Sequence, residues 1–303
     1  MNNVSNFVEG VDMAFMVILG ISLFFLVSIT FVMIYFVIKF SRKRNPKSRD
    51  VKEDMRLEIL WTAIPTLLVL VMFYYGWVGY TGMRDFPDDA IQVKATGRMW
   101  SWSFEYDNGK VSPNLMIPIG KAVVLDLYSP DVLHSLYIPA FRVKEDVVPG
   151  VNNRMWFEAY EEGSYDILCA EYCGERHSFM LSTVEVVSEQ EYEEWYGEDL
   201  SGVSPIDAGL SVLTANGCVA CHSLDGKRLV GPSFKGLYGA DRDIILPDGS
   251  KKTMVADDEY IKRAIYDPNS EVVDTYPKVM ISYEKTINEE QMKQIIAYLE
   301  SVK

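Results

Sequence analysis

Two long apolar stretches dominate the first third of the chain. No charged residue occurs between Met13 and Ile38, and none occurs between Ile59 and Met83. Each stretch exceeds the roughly 20 residues that an α-helix needs to cross the hydrocarbon core of a bilayer. The pattern therefore predicts two transmembrane helices, over residues 13–38 and 59–83, rather than two buried helices of a soluble protein.

A short basic loop joins the two apolar stretches. Its cationic residues are Lys39, Arg42, Lys43, Arg44, Lys47, Arg49 and Lys52. The positive-inside rule places such a loop in the cytoplasm, so that both ends of the helical hairpin face outward. Two acidic residues, Glu9 and Asp12, precede the first stretch, where a cleavable signal peptide would carry positive charge. We therefore interpret the first stretch as a retained helix.

After Arg84 the chain becomes polar, with short runs rich in β-branched and aromatic residues. Three such runs are Ile91–Thr96, Lys121–Tyr128 and Ser182–Val187. Turn formers such as Asp107–Gly109 and Pro149–Gly150 separate the runs. This pattern predicts an all-β sandwich or barrel.

The last third of the chain carries helix-capping signals. Ser204, Pro205 and Asp207 match the N-cap, the first position and the acidic third position of a helix, which Gly217 can end. A terminal helix is predicted after Asn288. The apolar face of that helix is formed by Met292, Ile295, Ile296 and Leu299.

An acidic stretch, Glu189–Asp199, precedes these signals and predicts a helical turn or two followed by a linker. We therefore expect three parts. Residues 1–83 form an N-terminal segment and the two transmembrane helices, residues 84–200 form the β domain, and residues 201–303 form a linker and a helical domain.

Composition and charge narrow the class of protein. A length of 303 residues favours two or three domains, and a hydrophobic content of 49% is ample for packed cores. The 43 acidic residues against 29 basic ones give a formal charge of −14, which makes nucleic acid a poor partner. The four cysteines fall in two close pairs, and this spacing favours metal or haem chemistry over a disulfide framework.

The first cysteine pair lies in a segment rich in soft metal ligands. The ligand-bearing residues of this segment are Cys169, Cys173, His177 and Met180. Soft sulfur ligands favour copper, and two thiolates can bridge two copper ions that share one electron. A second histidine has to come from elsewhere, and His134 follows a strand-like run that suits it. The alternative is a zinc site of the two cysteines and the two histidines, with Met180 in the core.

The second cysteine pair forms the segment Cys218–His222, which has the attachment signature of c-type haem. Two cysteines at this spacing can each form a thioether to a haem vinyl group, and the next histidine then reaches the iron as the proximal ligand. The same short motif also occurs in zinc sites. A methionine would be the distal ligand of an electron carrier, and the candidates are Met254, Met280 and Met292.

The first of these segments resembles the copper A loop of cytochrome c oxidase subunit II, and the resemblance extends from the first helix to about Tyr196. It implies a cupredoxin-like domain with a binuclear copper A centre. The side-chain ligands would be His134, Cys169, Cys173, His177 and Met180. It also implies that the backbone carbonyl of Glu171 binds copper and that its carboxylate helps to bind magnesium at the interface with subunit I.

Two further residues gain a role from this resemblance. Trp100 opens the aromatic segment Trp100–Tyr106, which by itself indicates strand packing, and the resemblance implies that electrons reach the copper through Trp100. Glu58 opens the second helix, where a carboxylate commonly complements the helix dipole. The resemblance implies that Glu58 lies at the mouth of a proton path into subunit I.

Residues 204–303 resemble an all-α class I cytochrome c domain. The residues that would hold a covalent haem c are Cys218, Cys221, His222, Pro232 and Met280. The carbonyl of Pro232 would fix the tautomer of the proximal His222. Met280 lies shortly before the last helix, where the family has its distal ligand, and Met254 is the alternative.

Together these features predict a multidomain membrane protein that carries electrons into a haem-copper terminal oxidase. Electrons would pass from a cytochrome c or another respiratory donor through haem c and copper A to subunit I, which reduces oxygen to water with proton translocation. The expected partners are oxidase subunits I and III and membrane lipid. The expected location is the bacterial inner membrane, with the copper and haem domains on the outer, periplasmic side.

Three other classes of protein share part of this pattern. A copper A-containing nitric oxide reductase also keeps its reacting site in another chain, so its electron-transfer subunit is an alternative. A membrane-anchored copper-binding assembly protein is a weaker alternative, because that role needs no covalent haem. A quinol oxidase subunit would lack the copper ligands.

Overall fold

The structure, a computed structural model, describes residues 3–47, 53–198 and 202–303. Two long helices open the chain, α1 over Val8–Lys39 and α2 over Met55–Met83. Both begin a few residues before the charge-free stretches, because a helix continues through the membrane surface where charged side chains meet water. Arg49 and Lys52 of the basic loop lie outside the described residues.

The apolar side chains of α1 and α2 have almost no protein to pack against. No residue in the most apolar part of either helix is buried, and Phe31 and Phe73 are examples of large side chains that face outward. A soluble protein buries such helices in its core, whereas lipid solvates them in a membrane. The two helices therefore have both the length and the exposure of membrane spans.

The middle of the chain forms ten strands. They are β1 Ile91–Arg98, β2 Ser101–Tyr106, β3 Val111–Ser112, β4 Leu115–Pro118, β5 Ala122–Tyr128, β6 His134–Ile138, β7 Val143–Val147, β8 Asn153–Glu158, β9 Gly163–Cys169 and β10 Leu181–Val187. They make two five-stranded sheets, in the orders β3-β2-β1-β5-β8 and β4-β10-β9-β6-β7. The sheets enclose a core that includes Trp102, Phe104, Phe141 and Phe157, so this domain is the predicted sandwich.

Strand alternation explains which side chains fill this core. Trp102, Phe104 and Tyr106 occupy every second position of β2 and are buried, while the residues between them are more exposed. A short helix, α3 over Glu189–Tyr196, follows the last strand and is capped by Ser188. Its Trp195 packs edge-on against Tyr106, with ring centroids 5.0 Å apart, so that α3 covers one end of the sandwich.

The C-terminal domain contains four helices and a small sheet. The helices are α4 Pro205–Ala215, α5 Cys218–Cys221, α6 Asp258–Tyr266 and α7 Glu289–Ser301. The strands are β11 Asp241–Ile245, β12 Lys251–Val255 and β13 Val272–Val273, in the order β12-β11-β13. The helical character predicted for this domain is confirmed. The small three-stranded sheet was not predicted from the sequence pattern. The domain boundary expected at residues 200 and 201 lies outside the described residues.

The predicted caps of the C-terminal domain are confirmed. Ser204 accepts a hydrogen bond from the backbone nitrogen of Asp207, and Asn288 forms a capping box with Gln291. Gly217 lies just after the end of α4 with a φ of 72°, a left-handed conformation that lets the chain turn into α5. The caps thus fix where α4 and α7 begin, and these two helices pack against each other.

Candidate functional site

Two strands of the second sheet bring the first soft ligands together. His134 begins β6 and Cys169 ends β9, and these strands pair so that Leu136 lies opposite Cys169. His134, Cys169 and Cys173 are all buried, and their ligand atoms lie within 4.8 Å of one another. The sulfurs of the two cysteines are 3.7 Å apart. The fold therefore assembles a compact group of metal ligands from residues far apart in sequence.

The remaining predicted ligands lie at the two ends of this sulfur pair. At one end, Nδ1 of His134 lies 4.0 Å from the sulfur of Cys169. At the other end, Nδ1 of His177 lies 3.5 Å, and Sδ of Met180 3.7 Å, from the sulfur of Cys173. Each cysteine thus has its own histidine, and the methionine joins the end with His177.

Glu171 presents two different groups to its surroundings. Its backbone carbonyl oxygen lies 3.2 Å from the sulfur of Cys169, next to the ligand group. Its side chain is exposed at the surface of the loop between β9 and β10. The carbonyl therefore points toward the buried ligands, while the carboxylate is available to another molecule.

The two thiols need a cation before both can ionise. Burial opposes ionisation of Cys169, but contacts with His134 and with the backbone of Ser135 and Glu171 outweigh burial and lower its pKa. Burial and the neighbouring Cys169 raise the pKa of Cys173. Two thiolates at this distance repel each other, and bound metal ions would remove the repulsion. The donor set therefore fits soft metal cations.

Asp131 orients the histidine of this group, a role that was not predicted from the sequence. Nε2 of His134 donates a 2.8 Å hydrogen bond to the Asp131 carboxylate, which leaves Nδ1 free to bind metal. Burial would raise the pKa of Asp131, but hydrogen bonds from His134 and from the backbone nitrogens of Met99 and Val132 outweigh burial and lower it. The spacing of a carboxylate three residues before a ligand histidine was the signal that could have revealed it.

The second centre is an apolar cleft in the C-terminal domain. Residues that line it include Leu213, Phe234, Ile265, Tyr283, Ile295 and Leu299. Cys218, Cys221 and His222 line the same cleft. Among the described residues, these three do not form a cluster of convergent metal ligands, in contrast to the first group. The arrangement disfavours the zinc interpretation and fits a flat, apolar ligand attached through the cysteines.

His222 is held in a single orientation in this cleft. Its Nδ1 donates a 2.7 Å hydrogen bond to the carbonyl of Pro232, and its ring stacks on Phe234 with centroids 4.6 Å apart. Burial lowers the pKa of His222 despite the bond to Pro232, so the imidazole is neutral at physiological pH. A neutral ring with Nε2 free is the form that binds a haem iron.

The structure separates the three methionine candidates. Met280 lines the cleft. Met254 lies on β12 and Met292 is buried on α7, and neither lines the cleft. Of these three candidates, Met280 is therefore the one that shares a cleft with His222.

Trp100 lies between the two centres. Its side chain is 5% exposed and lines the cleft together with Cys218 and Cys221. Its indole nitrogen donates a 3.1 Å hydrogen bond to the carbonyl of Cys173. One side chain therefore touches both the cleft and the metal-ligand loop.

Glu58 lies on α2, and none of the residues of the two centres belongs to that helix. It is half-buried in the first turn of α2 and borders a shallow groove with Thr62 and Thr66. The rest of the groove is lined by Ile59, Ala63 and Leu67, so Glu58 brings a carboxylate to the edge of a largely apolar surface.

Profiles of three protein families match successive parts of the chain. The transmembrane domain of cytochrome c oxidase subunit II matches residues 2–76, and the periplasmic domain of that subunit matches residues 109–187. Cytochrome c matches residues 206–303. The order of these matches is the order of parts expected from the sequence.

Individual relatives extend over the same parts. Cytochrome c oxidase subunit 2 of Alkalihalophilus pseudofirmus is 31% identical, over 94% of this chain and 86% of the relative. The subunit 2 of Cereibacter sphaeroides is 29% identical, over 61% of this chain and 76% of the relative. A crystal structure of the periplasmic domain of subunit II from Bradyrhizobium japonicum is 33% identical over 37% of this chain and 95% of that chain, with a TM-score of 0.36.

Proposed function

The chain belongs to the cytochrome c oxidase subunit II family, and from this premise we propose that it carries electrons from a respiratory donor through haem c and copper A to subunit I. Subunit I would reduce oxygen to water with proton translocation. The observation that carries this proposal is the position of Trp100, which lines the haem cleft and donates a hydrogen bond to the copper-ligand loop. Trp100 would thus be the residue through which electrons reach the copper.

We propose that the cleft holds one covalent haem c. Cys218 and Cys221 would form the thioether bonds, His222 would be the proximal ligand and Met280 the distal ligand. Pro232 would keep His222 in the required tautomer. When bound, the haem takes up and releases one electron at a time, and a methionine ligand raises its reduction potential.

The ligand group in the β domain supports two copper ions rather than one zinc ion. The side-chain ligands would be His134, Cys169, Cys173, His177 and Met180. A single tetrahedral zinc needs all its ligands around one point, whereas here the histidines lie at opposite ends of a sulfur pair. Two sulfurs in the middle and one histidine at each end suit a binuclear centre, with the Glu171 carbonyl as an additional ligand.

The surface around the copper loop is suited to contact with subunit I. Tyr172 is 77% exposed and Phe179 is 66% exposed, and both flank ligands of the copper centre. Large exposed aromatic side chains of this kind mark protein interfaces. The exposed carboxylate of Glu171 lies in the same loop and would help to bind magnesium at that interface. Subunit III is the other partner that we expect within the complex.

The basic loop and the net charge support a cellular location for the protein and a type of electron donor. The basic loop between α1 and α2 would face the cytoplasm of a bacterium, and the β and C-terminal domains would face the periplasm. A cytochrome c or a similar donor would deliver electrons to the C-terminal domain. A formal charge of −14 favours a basic donor.

The proposal is tested on the full chain in detergent, assembled with copper and haem. We expect metal analysis to give two copper ions per chain, paramagnetic resonance to show one electron shared by both, and the optical spectrum to show one covalent low-spin haem. Bound zinc, a single blue copper or the lack of covalent haem would contradict the proposal. The rates of oxygen consumption and of nitric oxide reduction by the assembled complex are then compared. Oxygen consumption identifies an oxidase, and nitric oxide reduction identifies a nitric oxide reductase.

We propose that Glu58 admits protons to subunit I. Replacing Glu58 by Gln removes the titrating carboxylate at a half-buried position in the first turn of α2. We expect lower steady-state turnover and slower proton uptake in the assembled complex. Glu53→Gln is the matched control, because Glu53 is exposed just before the N-cap of the same helix and should be neutral. Undiminished proton uptake in Glu58→Gln would refute the role.

A further inference from the structure

One edge of the His134 imidazole lies against the facing sheet of the β domain. His134 begins β6, and its Cδ2 faces β1 and β2 of the first sheet, where Gly97 and Trp102 lie directly opposite each other in the strand register. The rings of Trp102 and His134 meet edge to face, with centroids 6.1 Å apart. The indole of Trp102 is therefore a direct neighbour of a proposed copper ligand.

Gly97 leaves the space that this indole fills. Residues directly opposite each other on antiparallel strands point to the same face of the sheet, so the Trp102 ring lies where Gly97 has no side chain. A β-carbon at Gly97 would lie 2.7 Å from Cζ3 of Trp102 and 3.3 Å from Cδ2 of His134. Trp102 is only 2% exposed and His134 is wholly buried, so neither ring has free space to move into.

The size of the Trp102 ring, and not its polar group, is what this position uses. Its Nε1 is buried, and among the described residues no group accepts a hydrogen bond from it. An unpaired buried donor is unfavourable, and a phenylalanine would avoid it. What tryptophan adds is a second, six-membered ring, and the Cζ3 and Cη2 atoms of that ring lie over Gly97. The contact with Gly97 and His134 thus accounts for the residue type.

We propose that Gly97 and Trp102 are positioning residues that hold the His134 ring in the orientation that binds copper. This inference rests on the proposed binuclear copper centre. Asp131 holds Nε2 of His134 by a 2.8 Å hydrogen bond. The packing of Trp102 over Gly97 holds the adjacent Cδ2 edge. A hydrogen bond at one atom still allows the ring to tilt, and packing against a second atom removes this freedom.

The orientation of His134 matters because the two copper ions would each have their own histidine. An unpaired electron is shared equally only when the two ions have equally strong donors. A tilted His134 is a weaker donor, so its copper ion would be harder to oxidise. The unpaired electron would then move toward the ion bound by His177. Gly97 and Trp102 would thus keep the electron shared between both ions.

The test compares Gly97→Ala, Trp102→Phe and the double variant in the full chain loaded with copper and haem. Trp195→Phe is the matched control, because it also replaces an indole of the β domain, but one that lies on α3 and packs against Tyr106. Competition with a copper chelator gives the copper affinity. Paramagnetic resonance shows how the electron is shared, and electron-nuclear double resonance measures the nitrogen couplings of the two histidines separately.

We expect each single variant to lower the copper affinity about tenfold, the lower end of the usual effect of a residue that supports a metal ligand. The nitrogen coupling of one histidine should fall while that of the other does not, an asymmetry that a merely less stable domain would not produce. In the double variant the added methyl group occupies the space left by the smaller ring, so the affinity and the spectra should approach those of the wild type. Trp195→Phe should leave both unchanged.

Two results would overturn the role of Gly97 and Trp102 while leaving the proposed function intact. One is a two-copper spectrum that is the same in the wild type and in both single variants. The other is a double variant whose loss of affinity is the product of the two single losses, because residues that act through one contact are not independent. A wild-type chain without a two-copper spectrum would overturn the proposed copper centre itself. If Gly97→Ala does not fold, the spectra of Trp102→Phe still decide the question.

Discussion

At the scale of single residues, the haem cleft depends on a position without a side chain. A β-carbon at Gly231 would lie 2.5 Å from Cε1 of His222. The Gly231 backbone is held in place because its nitrogen donates a 2.9 Å hydrogen bond to the carbonyl of Cys221. The ring of His222 would therefore have to move, and it would lose its bond to Pro232.

We predict that Gly231→Ala weakens the binding of His222 to the haem iron. The optical and paramagnetic resonance spectra of the loaded protein should show partial or complete loss of the low-spin form. Gly202→Ala is the control, because no atom lies within 4 Å of a β-carbon at that position. A normal low-spin spectrum in Gly231→Ala would show that His222 is not the proximal ligand.

The distal ligand is a second question at the residue scale. Met280 lines the cleft and Met254 does not. We predict that Met280→Ala converts the haem to a high-spin form with a lower reduction potential, while Met254→Ala keeps the low-spin spectrum. Optical spectra of the reduced and oxidised proteins check this. The reverse pattern would move the distal ligand to Met254.

At the scale of elements, the C-terminal domain is held together where α4 crosses α7. A β-carbon at Gly209 would lie 2.0 Å from the backbone oxygen of Gln294 and 2.8 Å from Cβ of Tyr298. Backbone atoms cannot move aside as a flexible side chain can, so the helices would have to separate. Glycine at this position permits the close approach of α4 and α7.

We predict that Gly209→Ala lowers the free energy of unfolding of the C-terminal domain by about 2 kcal/mol, the usual cost of overpacking a core. The better helix propensity of alanine offsets only part of this loss. Denaturant unfolding followed through the haem absorbance measures the change. Ser211→Ala, at an exposed position of the same helix, should be neutral, and equal stabilities of the two variants would disprove the close packing.

The elements of this protein differ in how well the sequence predicts them. The helices α4 and α7 follow from local signals, the caps at Ser204 and Asn288, and the structure confirms both. The sheet of β11, β12 and β13 was not predicted, because its longest strands have five residues and most side chains of β12 are exposed. Such strands lack the alternation of buried and exposed residues that makes β2 recognisable.

At the scale of the whole molecule, the two centres are adjacent because the β domain and the C-terminal domain pack closely. A β-carbon at Gly217 would lie 1.8 Å from the hydroxyl oxygen of Ser101, in the other domain. Ser101 follows Trp100, and Gly217 precedes Cys218, so this contact lies directly beside the proposed route from cleft to copper loop. Cβ of Ser101 would also lie 2.6 Å from the added atom, so rotation of the hydroxyl alone does not relieve the contact and the two domains would have to separate.

We predict that Gly217→Ala slows electron transfer from haem to copper, measured after photoreduction of the haem in the full chain. The spectra of both centres should stay normal, because the change affects their separation. Gly236→Ala is the control for backbone strain, since Gly236 has a φ of 68° beside the 72° of Gly217 but nothing within 4 Å of its β-carbon. A transfer rate equal to that of Gly236→Ala would contradict close docking at this contact.

By itself, the sequence determined the features that depend on neighbouring residues. These are the two apolar spans, the caps of α4 and α7 and the two cysteine motifs, since each is a pattern within one short segment. Only the tertiary structure decided which residues from distant segments meet: Asp131 with His134, Trp100 with both centres, and Arg98 with Tyr283. The physical reason is that strand pairing and domain packing fix such contacts, and no local pattern records them.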